Sequence, residues 1–254
     1  EIENIYSAAE LLKGIVKHTP LEHNLNLSDK FGANIYLKRE DLQLVRSYKL
    51  RGAYNKMASL SKEDLQKGVI CASAGNHAQG MAWACNKMET KGTIFMPTTT
   101  PAQKIKQVRL FGENWIEIKL VGDSFDDASA AAKEYIHKSG GTFIHPFDDV
   151  QVIEGQGTVG LEIFKDASFK IDYLLFAIGG GGLASGIATV FNQLSPKTKL
   201  IGVEPSGAAS MKKSIEANEI VVLEQMDKFV DGAAVARVGE ITFEICKKYL
   251  SEII

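Results

Sequence analysis

The sequence lacks the features that mark several large classes of protein. No apolar run approaches the about 20 residues that a membrane-spanning helix needs. The formal net charge is only -2 and no basic block occurs, which argues against a general nucleic-acid binder. No signal peptide is predicted, because residues 1–12 mix acids with apolar residues and lack a basic start. The first residue is Glu1 and not Met, so we expect a trimmed amino terminus.

Cysteine is also scarce. The three cysteines, Cys71, Cys85 and Cys246, are widely spaced and form no C-x-x-C pair. This odd, sparse set favours a reducing compartment over a disulfide framework. No second His or Cys lies at ligand spacing from His77, so no zinc site is predicted. We therefore expect a cytoplasmic protein with no nucleic-acid or membrane partner, and a small anionic ligand stays possible because one local site needs no overall excess of positive charge.

What the sequence does contain is an alternation of short apolar runs with longer helical stretches. Strands are predicted at 34–38, 68–72, 92–96, 115–121, 142–145, 173–178 and 199–203. Helices are predicted at 52–60, 76–86, 101–111, 124–138, 155–164, 183–194 and 208–217. A further helix is predicted to begin near Ser7, where Ser7 and Glu10 form a capping-box pattern. This order is typical of an α/β protein with mostly parallel sheets flanked by helices.

Ligands of open α/β sheets bind at strand-to-helix turns, and three such turns carry unusual residues. The first is Ser47-Tyr48-Lys49-Leu50-Arg51-Gly52-Ala53. A cation at a helix start is unfavourable because the helix dipole there favours anions. Lys49 is therefore either a solvated surface lysine or a Schiff-base lysine that burial keeps neutral. Tyr48 beside it either stacks on a ligand or fills the core.

The second turn is Ala72-Ser73-Ala74-Gly75-Asn76-His77-Ala78-Gln79-Gly80, after the strand at 68–72. Small donors and free amides at a helix start suit a carboxylate or phosphate. The alternative is an ordinary helix cap made by Ser73 or Asn76. His77 taken alone is interpreted as a hydrogen-bonded structural histidine.

The third turn is Gly179-Gly180-Gly181-Gly182-Leu183-Ala184, after the strand at 173–178. Four consecutive glycines present backbone amides to a phosphate without obstruction by side chains. A rival interpretation is a dinucleotide site in an oxidoreductase, since Gly179-x-Gly181-x-x-Ala184 fits G-x-G-x-x-G/A. Glu204, 20 residues after Ala184, would then contact the ribose.

The ordered set of three turns resembles the threonine dehydratase (threonine deaminase) family of pyridoxal-phosphate enzymes. These enzymes have fold type II, the tryptophan-synthase-β-like fold. The similarity runs along essentially the whole chain. It includes Tyr36-Leu37-Lys38-Arg39-Glu40-Asp41, Pro146-Phe147-Asp148-Asp149 and Asp231-Gly232-Ala233.

The resemblance implies a role for each matching residue. Lys49 would hold pyridoxal 5'-phosphate as a Schiff base and exchange the α-proton of the substrate. Tyr48 would lie beside the cofactor ring, Asn76 would bond its phenolic oxygen, and Gly232 would lie against it. The cofactor phosphate would receive amides from Gly179, Gly180, Gly181, Gly182 and Leu183. The substrate carboxylate would be held by Ser73, Ala74, Gly75, Asn76 and His77. The implied reaction is dehydration of threonine to 2-oxobutanoate, or of serine to pyruvate, with release of ammonia.

Two departures from racemising relatives bear on this expectation. Those relatives have a second serine where this chain has Ala74, which carries no titratable group, so dehydration is favoured over serine racemisation. They also bind a divalent cation with a carboxylate where this chain has Ser210, so no metal site is predicted. The family's larger lobe continues beyond the position of Ile254, with the residue that meets the pyridine nitrogen. We expect a larger lobe from residues 1–67 and 146–254, an inserted smaller lobe from 68–145, and a dimer or tetramer.

Overall fold

The computed structural model describes residues 1–254, in eleven α-helices and nine strands. The helices are α1 (Ile2–Leu12), α2 (Leu25–Phe31), α3 (Lys49–Ala58), α4 (Lys62–Lys67), α5 (Asn76–Lys87), α6 (Ala102–Gly112), α7 (Phe125–Ser139), α8 (Val150–Asp166), α9 (Gly182–Leu194), α10 (Ser210–Ala217) and α11 (Glu240–Tyr249). The strands are β1 (Leu21–His23), β2 (Tyr36–Lys38), β3 (Val69–Ala72), β4 (Gly92–Met96), β5 (Ile116–Leu120), β6 (Thr142–Phe143), β7 (Tyr173–Ala177), β8 (Lys199–Val203) and β9 (Glu252–Ile253). Short 3-10 turns occupy Glu40–Leu42, Glu113–Trp115 and Ser206–Ala208.

The strands form two parallel sheets and one antiparallel pair. The larger sheet has the order β5-β4-β3-β6, the smaller has the order β7-β8-β9, and every pairing within both is parallel. Strand β3 is buried along its whole length, as expected for a central strand with helices on both faces. Strands β1 and β2 pair antiparallel. The predicted mixed α/β class, with parallel sheets flanked by helices, is confirmed.

The first helix shows where the sequence prediction was wrong. Helix α1 begins at Ile2, five residues before the predicted start at Ser7. The hydroxyl of Ser7 donates to the carbonyl of Glu3 at 3.1 Å, inside the helix, and caps nothing. A serine within a helix can make this bond to the residue four positions earlier. The capping-box pattern therefore matched by chance, whereas the buried face at Ile2, Ile5, Ala8 and Leu12 marks the true extent of the helix.

The apolar core is divided along the lines of the two parallel sheets. A cluster of 16 buried residues joins α1, α8, α9 and α11 to the smaller sheet. A second cluster of 13 buried residues joins α3, α5 and α6 to the larger sheet. All strands of the larger sheet fall between residues 69 and 143, and those of the smaller sheet between 173 and 253. The division into lobes at 67/68 and 145/146 stays a prediction.

No helix is both long and apolar enough to cross a membrane.

Glycines let α8 approach two helices closely. A Cβ at Gly155 would lie 2.6 Å from the carbonyl oxygen of Arg51 on α3, and one at Gly186 on α9 would lie 2.7 Å from the Cα of Gly157. Such distances leave no room for a side chain, so the helix backbones are in direct contact. Helix α8 thereby fixes the start of α3, where Lys49 lies, relative to the start of α9.

Candidate active site

Lys49 is the first residue of α3 and is half-buried. Its Nζ donates to the carbonyl oxygen of Pro146 at 2.8 Å and lies 5.5 Å from the centre of the Tyr48 ring. No carboxylate lies within salt-bridge distance of this amine. Burial therefore lowers the pKa of Lys49 from its ordinary 10.5 to about 8. The surface-lysine interpretation is wrong, because this amine is desolvated and unpaired with any acid.

The partner of Lys49 belongs to residues 144–149, which we call the connecting segment. Its first carbonyl, on Ile144, lies 2.8 Å from Nε2 of His77 in the second turn. Its third, on Pro146, accepts from Lys49 in the first turn. The ring of Phe147 occupies the space that a Cβ at Gly180, in the third turn, would need. The connecting segment therefore contacts all three predicted turns.

The second turn begins where β3 ends and α5 starts. The hydroxyl of Ser73 accepts from the amide of Gly75 at 3.2 Å, and no side chain caps the start of α5 at Asn76. The helix-cap interpretation is therefore wrong for both Ser73 and Asn76. The first amides of α5 remain available to an anion, which the helix dipole favours at this position.

His77 faces away from this free helix start. Its ring is 3% exposed, and because Nε2 bonds a carbonyl oxygen, Nε2 carries the proton. Burial, with the nearby charge of Lys49, lowers the pKa of His77 to about 3. The side chain is thus a neutral, hydrogen-bonded group beneath the turn, and Nδ1 is buried without a partner.

Asn76 is exposed at the tip of the second turn. The nearest atom to a Cβ built at Gly232 would be Nδ2 of Asn76, at 3.9 Å. Two site residues that are 156 positions apart in the sequence are therefore neighbours. Beside Gly232, the carboxylate of Asp231 pairs with Lys104 on α6, so this loop also contacts the part of the chain that carries the larger sheet.

The glycine turn follows β7 and begins α9. Gly181 adopts a left-handed backbone conformation with φ +94, and no side chain caps the helix. A Cβ at Gly182 would lie 3.0 Å from Cα of Phe147, and one at Gly179 would lie 3.2 Å from Cα of Ala233. Close neighbours leave no room for a side chain at any glycine of the turn, and at Gly181 the left-handed backbone also favours glycine. Consecutive amides at an uncapped helix start form an anion-binding site.

The rival dinucleotide interpretation requires a free carboxylate at Glu204. The two oxygens of Glu204 instead accept from the amides of Met211 and Lys212, at 2.9 and 2.8 Å, and the residue is 7% exposed. Burial raises the pKa of this carboxyl, although the two amides oppose the effect. Glu204 therefore caps α10, and the oxidoreductase alternative is wrong. The side chain of Ser210 is fully buried nearby, and no group of three or more potential metal-ligating side chains lies together.

A family profile described as "Pyridoxal-phosphate dependent enzyme" matches residues 12–254. The chain belongs to the pyridoxal-phosphate-dependent enzyme family. Pyridoxal 5'-phosphate is the cofactor of this family, and the parallel sheets with flanking helices are those of fold type II.

Among curated relatives of this pyridoxal-phosphate-dependent chain are two proteins named biosynthetic L-threonine dehydratase. The protein from Halalkalibacterium halodurans is 54% identical over 254 residues, which is 100% of this chain and 61% of the relative. The protein from Bacillus subtilis is 51% identical over 254 residues, 100% of this chain and 60% of the relative. The chain thus spans about three fifths of the length of these relatives.

Solved structures of similar shape include enzymes with two different names. The processed threonine deaminase isoform 2 of Solanum lycopersicum has a TM-score of 0.93 and 47% identity, covering 98% of this chain and 72% of that one. Maize serine racemase has a TM-score of 0.95 at 29% identity, covering 100% of this chain and 76% of that one. The two structures match the backbone of this chain about equally well, and the deaminase is the more similar of the two in sequence.

The residues present fit the family's cofactor. A buried amine with a lowered pKa meets the requirement for Schiff-base formation with an aldehyde. The glycine turn offers uncapped amides in a space that a Cβ would fill, as a phosphate requires. Sequence reasoning missed three contributors: the carbonyl of Pro146, the ring of Phe147, and the hydroxyl of Thr242, which donates to the carbonyl oxygen of Gly180 at 2.6 Å. The Pro146-Phe147-Asp148-Asp149 motif carried the signal for the first two, but it gave no hint of what they contact.

Proposed function

We propose that this chain carries the active site of an L-threonine dehydratase, which converts threonine to 2-oxobutanoate and ammonia. Serine would be a second substrate and would give pyruvate. The observation that carries the proposal is the Lys49 amine, which is desolvated, paired with no acid, and bonded to the connecting segment that contacts the other two turns. The similarity to proteins named threonine dehydratase supports the choice of substrate.

In this proposal Lys49 holds the cofactor and then moves the α-proton of the substrate. With its pKa near 8, a useful share of the amine is neutral and nucleophilic at physiological pH. The Pro146 carbonyl orients Nζ, because it accepts one of its hydrogens at 2.8 Å. The cofactor supplies an electron sink for the negative charge that remains at the α-carbon after proton removal.

The other turns bind and orient. We assign the amides of Gly179, Gly180, Gly181, Gly182 and Leu183 to the cofactor phosphate. Tyr48, Asn76 and Gly232 would contact the ring of the cofactor. We assign the turn formed by Ser73, Ala74, Gly75, Asn76 and His77 to the substrate carboxylate. Holding the carboxylate at one end fixes which bond to the α-carbon lies next to Lys49.

Loss of the α-proton and of the β-hydroxyl removes one water from threonine. Hydrolysis of the resulting unsaturated amine consumes one water and gives the 2-oxo acid and ammonia, so atoms balance. Ala74 offers no group that could return a proton to the opposite face of the substrate. This supports elimination over racemisation, in spite of the similar backbone of maize serine racemase.

The decisive test is covalent trapping. The chain is incubated with pyridoxal phosphate, reduced with borohydride, and digested for peptide mass spectrometry. We expect the reduced label on Lys49 and loss of the label in Lys49→Ala, with Lys56→Ala as a control lysine on the same helix. Release of 2-oxobutanoate from threonine tests the reaction, and chiral chromatography of serine tests racemisation. A label elsewhere, or racemised serine without 2-oxo acid, would overturn the proposal.

Three finer assignments also belong to the proposal. The names of the curated relatives support a role in making isoleucine. All three cysteines are unpaired and buried, which supports a cytoplasmic location. Exposed apolar side chains on α2, at Leu25 and Phe31, support assembly into a dimer or tetramer, which light scattering of the purified protein would measure.

A further inference from the structure

The glycine turn contacts a helix that the proposed mechanism has not used. Helix α11 begins at Glu240, and Thr242 in its first turn is fully buried. The Thr242 hydroxyl donates to the carbonyl oxygen of Gly180 at 2.6 Å. It also accepts from the amide of Gly239 at 3.1 Å. The carbonyl oxygen of Gly239 lies farther from the hydroxyl, at 3.3 Å, so the donor is directed mainly at Gly180 and all contacts of the hydroxyl are to the turn or to the start of α11.

Thr242 is itself fixed by the connecting segment. The carboxylate of Asp148 accepts from the amides of Glu240, Ile241 and Thr242, at 2.9, 3.0 and 3.2 Å. Asp148 therefore caps the start of α11, since it bonds three of the amides that have no partner within the helix. The chain of contacts runs from Asp148 through Thr242 to Gly180.

Fixing the Gly180 carbonyl also fixes the amide that follows it. In a planar trans peptide the C=O and the N–H point in opposite directions. The carbonyl of Gly180 faces Thr242, so the N–H of Gly181 points away from Thr242. Gly181 adopts a left-handed conformation with φ +94, and a Cβ built there would lie 2.7 Å from Cβ of Thr242, so Thr242 packs directly against this part of the turn.

We propose that Thr242 is a positioning residue for phosphate binding, because its hydroxyl holds Gly180 so that the Gly181 amide faces the cofactor phosphate. This inference rests on the assignment of the glycine turn to that phosphate. It makes no demand on the substrate, and Thr242 itself touches neither substrate nor cofactor. Its effect should therefore depend on the phosphate group of the cofactor and not on the ring.

The experiment compares two probes, pyridoxal phosphate and pyridoxal, which differ only in the phosphate. Dissociation constants are measured by fluorescence titration for the wild type, Thr242→Val and Thr242→Ser. Valine keeps the shape and removes the hydroxyl, whereas serine keeps the hydroxyl. We expect Thr242→Val to weaken binding of pyridoxal phosphate about tenfold and to leave pyridoxal nearly unchanged. We expect Thr242→Ser to retain most of the wild-type preference for the phosphate.

A matched control is Thr189→Val on α9. The Thr189 hydroxyl donates to the carbonyl of Ser185 at 2.8 Å, one to two helical turns beyond the glycines. Thr189→Val therefore makes the same chemical change, a hydroxyl replaced by a methyl group, at a position away from the glycine turn. Both affinities should stay at wild-type values in this variant. If Thr242→Val does not fold, as judged by circular dichroism, Thr242→Ala removes the same hydroxyl with a smaller side chain.

Each outcome is informative. Equal weakening of both probes in Thr242→Val would show a merely structural role and overturn the inference, as would an unchanged preference for the phosphate. Failure of Thr242→Ser to restore that preference would also contradict it. If the wild type binds neither probe and Lys49 is not labelled by borohydride, both the proposed function and this inference are wrong. Labelling at Lys49 with an insensitive Thr242→Val would overturn the inference alone.

Discussion

The amine of Lys49 lies 2.8 Å from the carbonyl oxygen of Pro146, although the two residues are 97 positions apart. A carbonyl can stabilise an ammonium by a hydrogen bond, but it does not neutralise the charge as a carboxylate would. The contact therefore orients the amine while burial still favours its neutral form. A lysine held in this way is ready to react with an aldehyde near neutral pH.

The first prediction concerns the reactivity of Lys49. Only the neutral amine attacks an acylating reagent, so the labelling rate of Lys49 should rise as pH passes through about 8 and level off above it. Brief labelling at a series of pH values, followed by peptide mass spectrometry, gives this profile. Decay of the reagent is measured at each pH without protein and divided out of the rate, and the exposed Lys106 is followed in the same digests as a solvent-exposed comparison. A Lys49 profile that keeps rising beyond pH 10 would contradict the burial argument.

The second prediction concerns stability in the absence of cofactor. Between pH 8 and 10.5 the unfolded chain keeps a proton on Lys49 that the folded chain has lost. The free energy of unfolding therefore gains from Lys49 as pH rises through this window, and the destabilisation is fully present below pH 8. Lys49→Met should thus stabilise the cofactor-free protein at pH 7 by roughly 1–3 kcal/mol. Urea unfolding at pH 7 and pH 10 measures the effect, which should shrink at the higher pH.

Lys56→Met is the matched control for that experiment. Lys56 lies on the same helix, but its amine pairs with Asp149 at 2.8 Å and bonds Gln151 at 3.1 Å. Removing this amine leaves a partly buried carboxylate with one partner fewer, so Lys56→Met should destabilise the protein. If both methionine variants shift stability in the same direction, the distinction between a paired and an unpaired lysine is wrong.

The three turns could be predicted because their residues are unusual for their positions. Four glycines after an apolar strand, or a lysine at a helix start, conflict with ordinary local preferences, and such conflicts are visible in sequence. The partners of these turns follow no such rule. Pro146 contributes a backbone carbonyl, Phe147 contributes shape, and Thr242 lies on α11, a helix that the periodicity analysis did not find. Each acts through a contact that exists only once distant segments have packed together.

The third prediction concerns Arg51, two residues after Lys49. Its guanidinium is fully buried and bonds Glu40 at 3.0 and 2.8 Å and Glu162 at 2.6 and 3.0 Å, so it holds two carboxylates at once. Arg51→Met leaves both acids without this partner and should cost about 3–5 kcal/mol of unfolding free energy. Arg51→Lys should also be less stable than the wild type, because an ammonium group cannot form two parallel hydrogen bonds to each of two carboxylates as a guanidinium does.

An exposed pair provides the control for Arg51. Arg39 bonds Glu22 and Asp41 at the surface, where solvent screens the charges, so Arg39→Lys should leave the free energy of unfolding nearly unchanged. The triple variant Arg51→Met, Glu40→Gln and Glu162→Gln should recover part of the loss, since no buried charge is left unpaired. A tolerated Arg51→Met on its own would contradict the proposed importance of this cluster.

The cluster of Arg51, Glu40 and Glu162 also makes the stability of the protein depend on pH in the acid range. Burial opposes ionisation of Glu162, but hydrogen bonds from Arg51 and Lys38 outweigh it and lower the pKa of this carboxyl below its ordinary 4.5. A lowered folded-state pKa gives stability that is present above pH 4.5 and lost as pH falls below it. Acid unfolding followed by circular dichroism should therefore be less steep in Glu162→Gln than in the wild type. An identical slope in both proteins would show that Glu162 does not contribute.

The fourth prediction concerns the contact between α5 and the start of α3. Alanine usually stabilises a helix interior relative to glycine by about 1 kcal/mol. At Gly80, however, a Cβ would lie 2.9 Å from the backbone nitrogen of Leu50 and from the carbonyl carbon of Lys49. Backbone atoms cannot rotate away, so the helices must separate, and overpacking of this kind costs about 1–3 kcal/mol. Gly80→Ala should therefore destabilise the protein in spite of the better helix propensity of alanine.

Because the displaced atoms belong to Lys49, Gly80→Ala should also slow borohydride trapping of pyridoxal phosphate at that residue. The control for stability alone is Gly75→Ala, where a Cβ would meet no atom within 4 Å and φ is -116, so unfolding should change little. The urea midpoints of the two variants are compared. A lower midpoint in Gly80→Ala alone indicates close packing at Gly80, whereas a lower midpoint in both indicates that the second turn accepts no added side chain. A stabilised Gly80→Ala with normal trapping would mean that α5 can move away from α3 without disturbing the amine, and the fixed geometry argued for Lys49 would then be wrong.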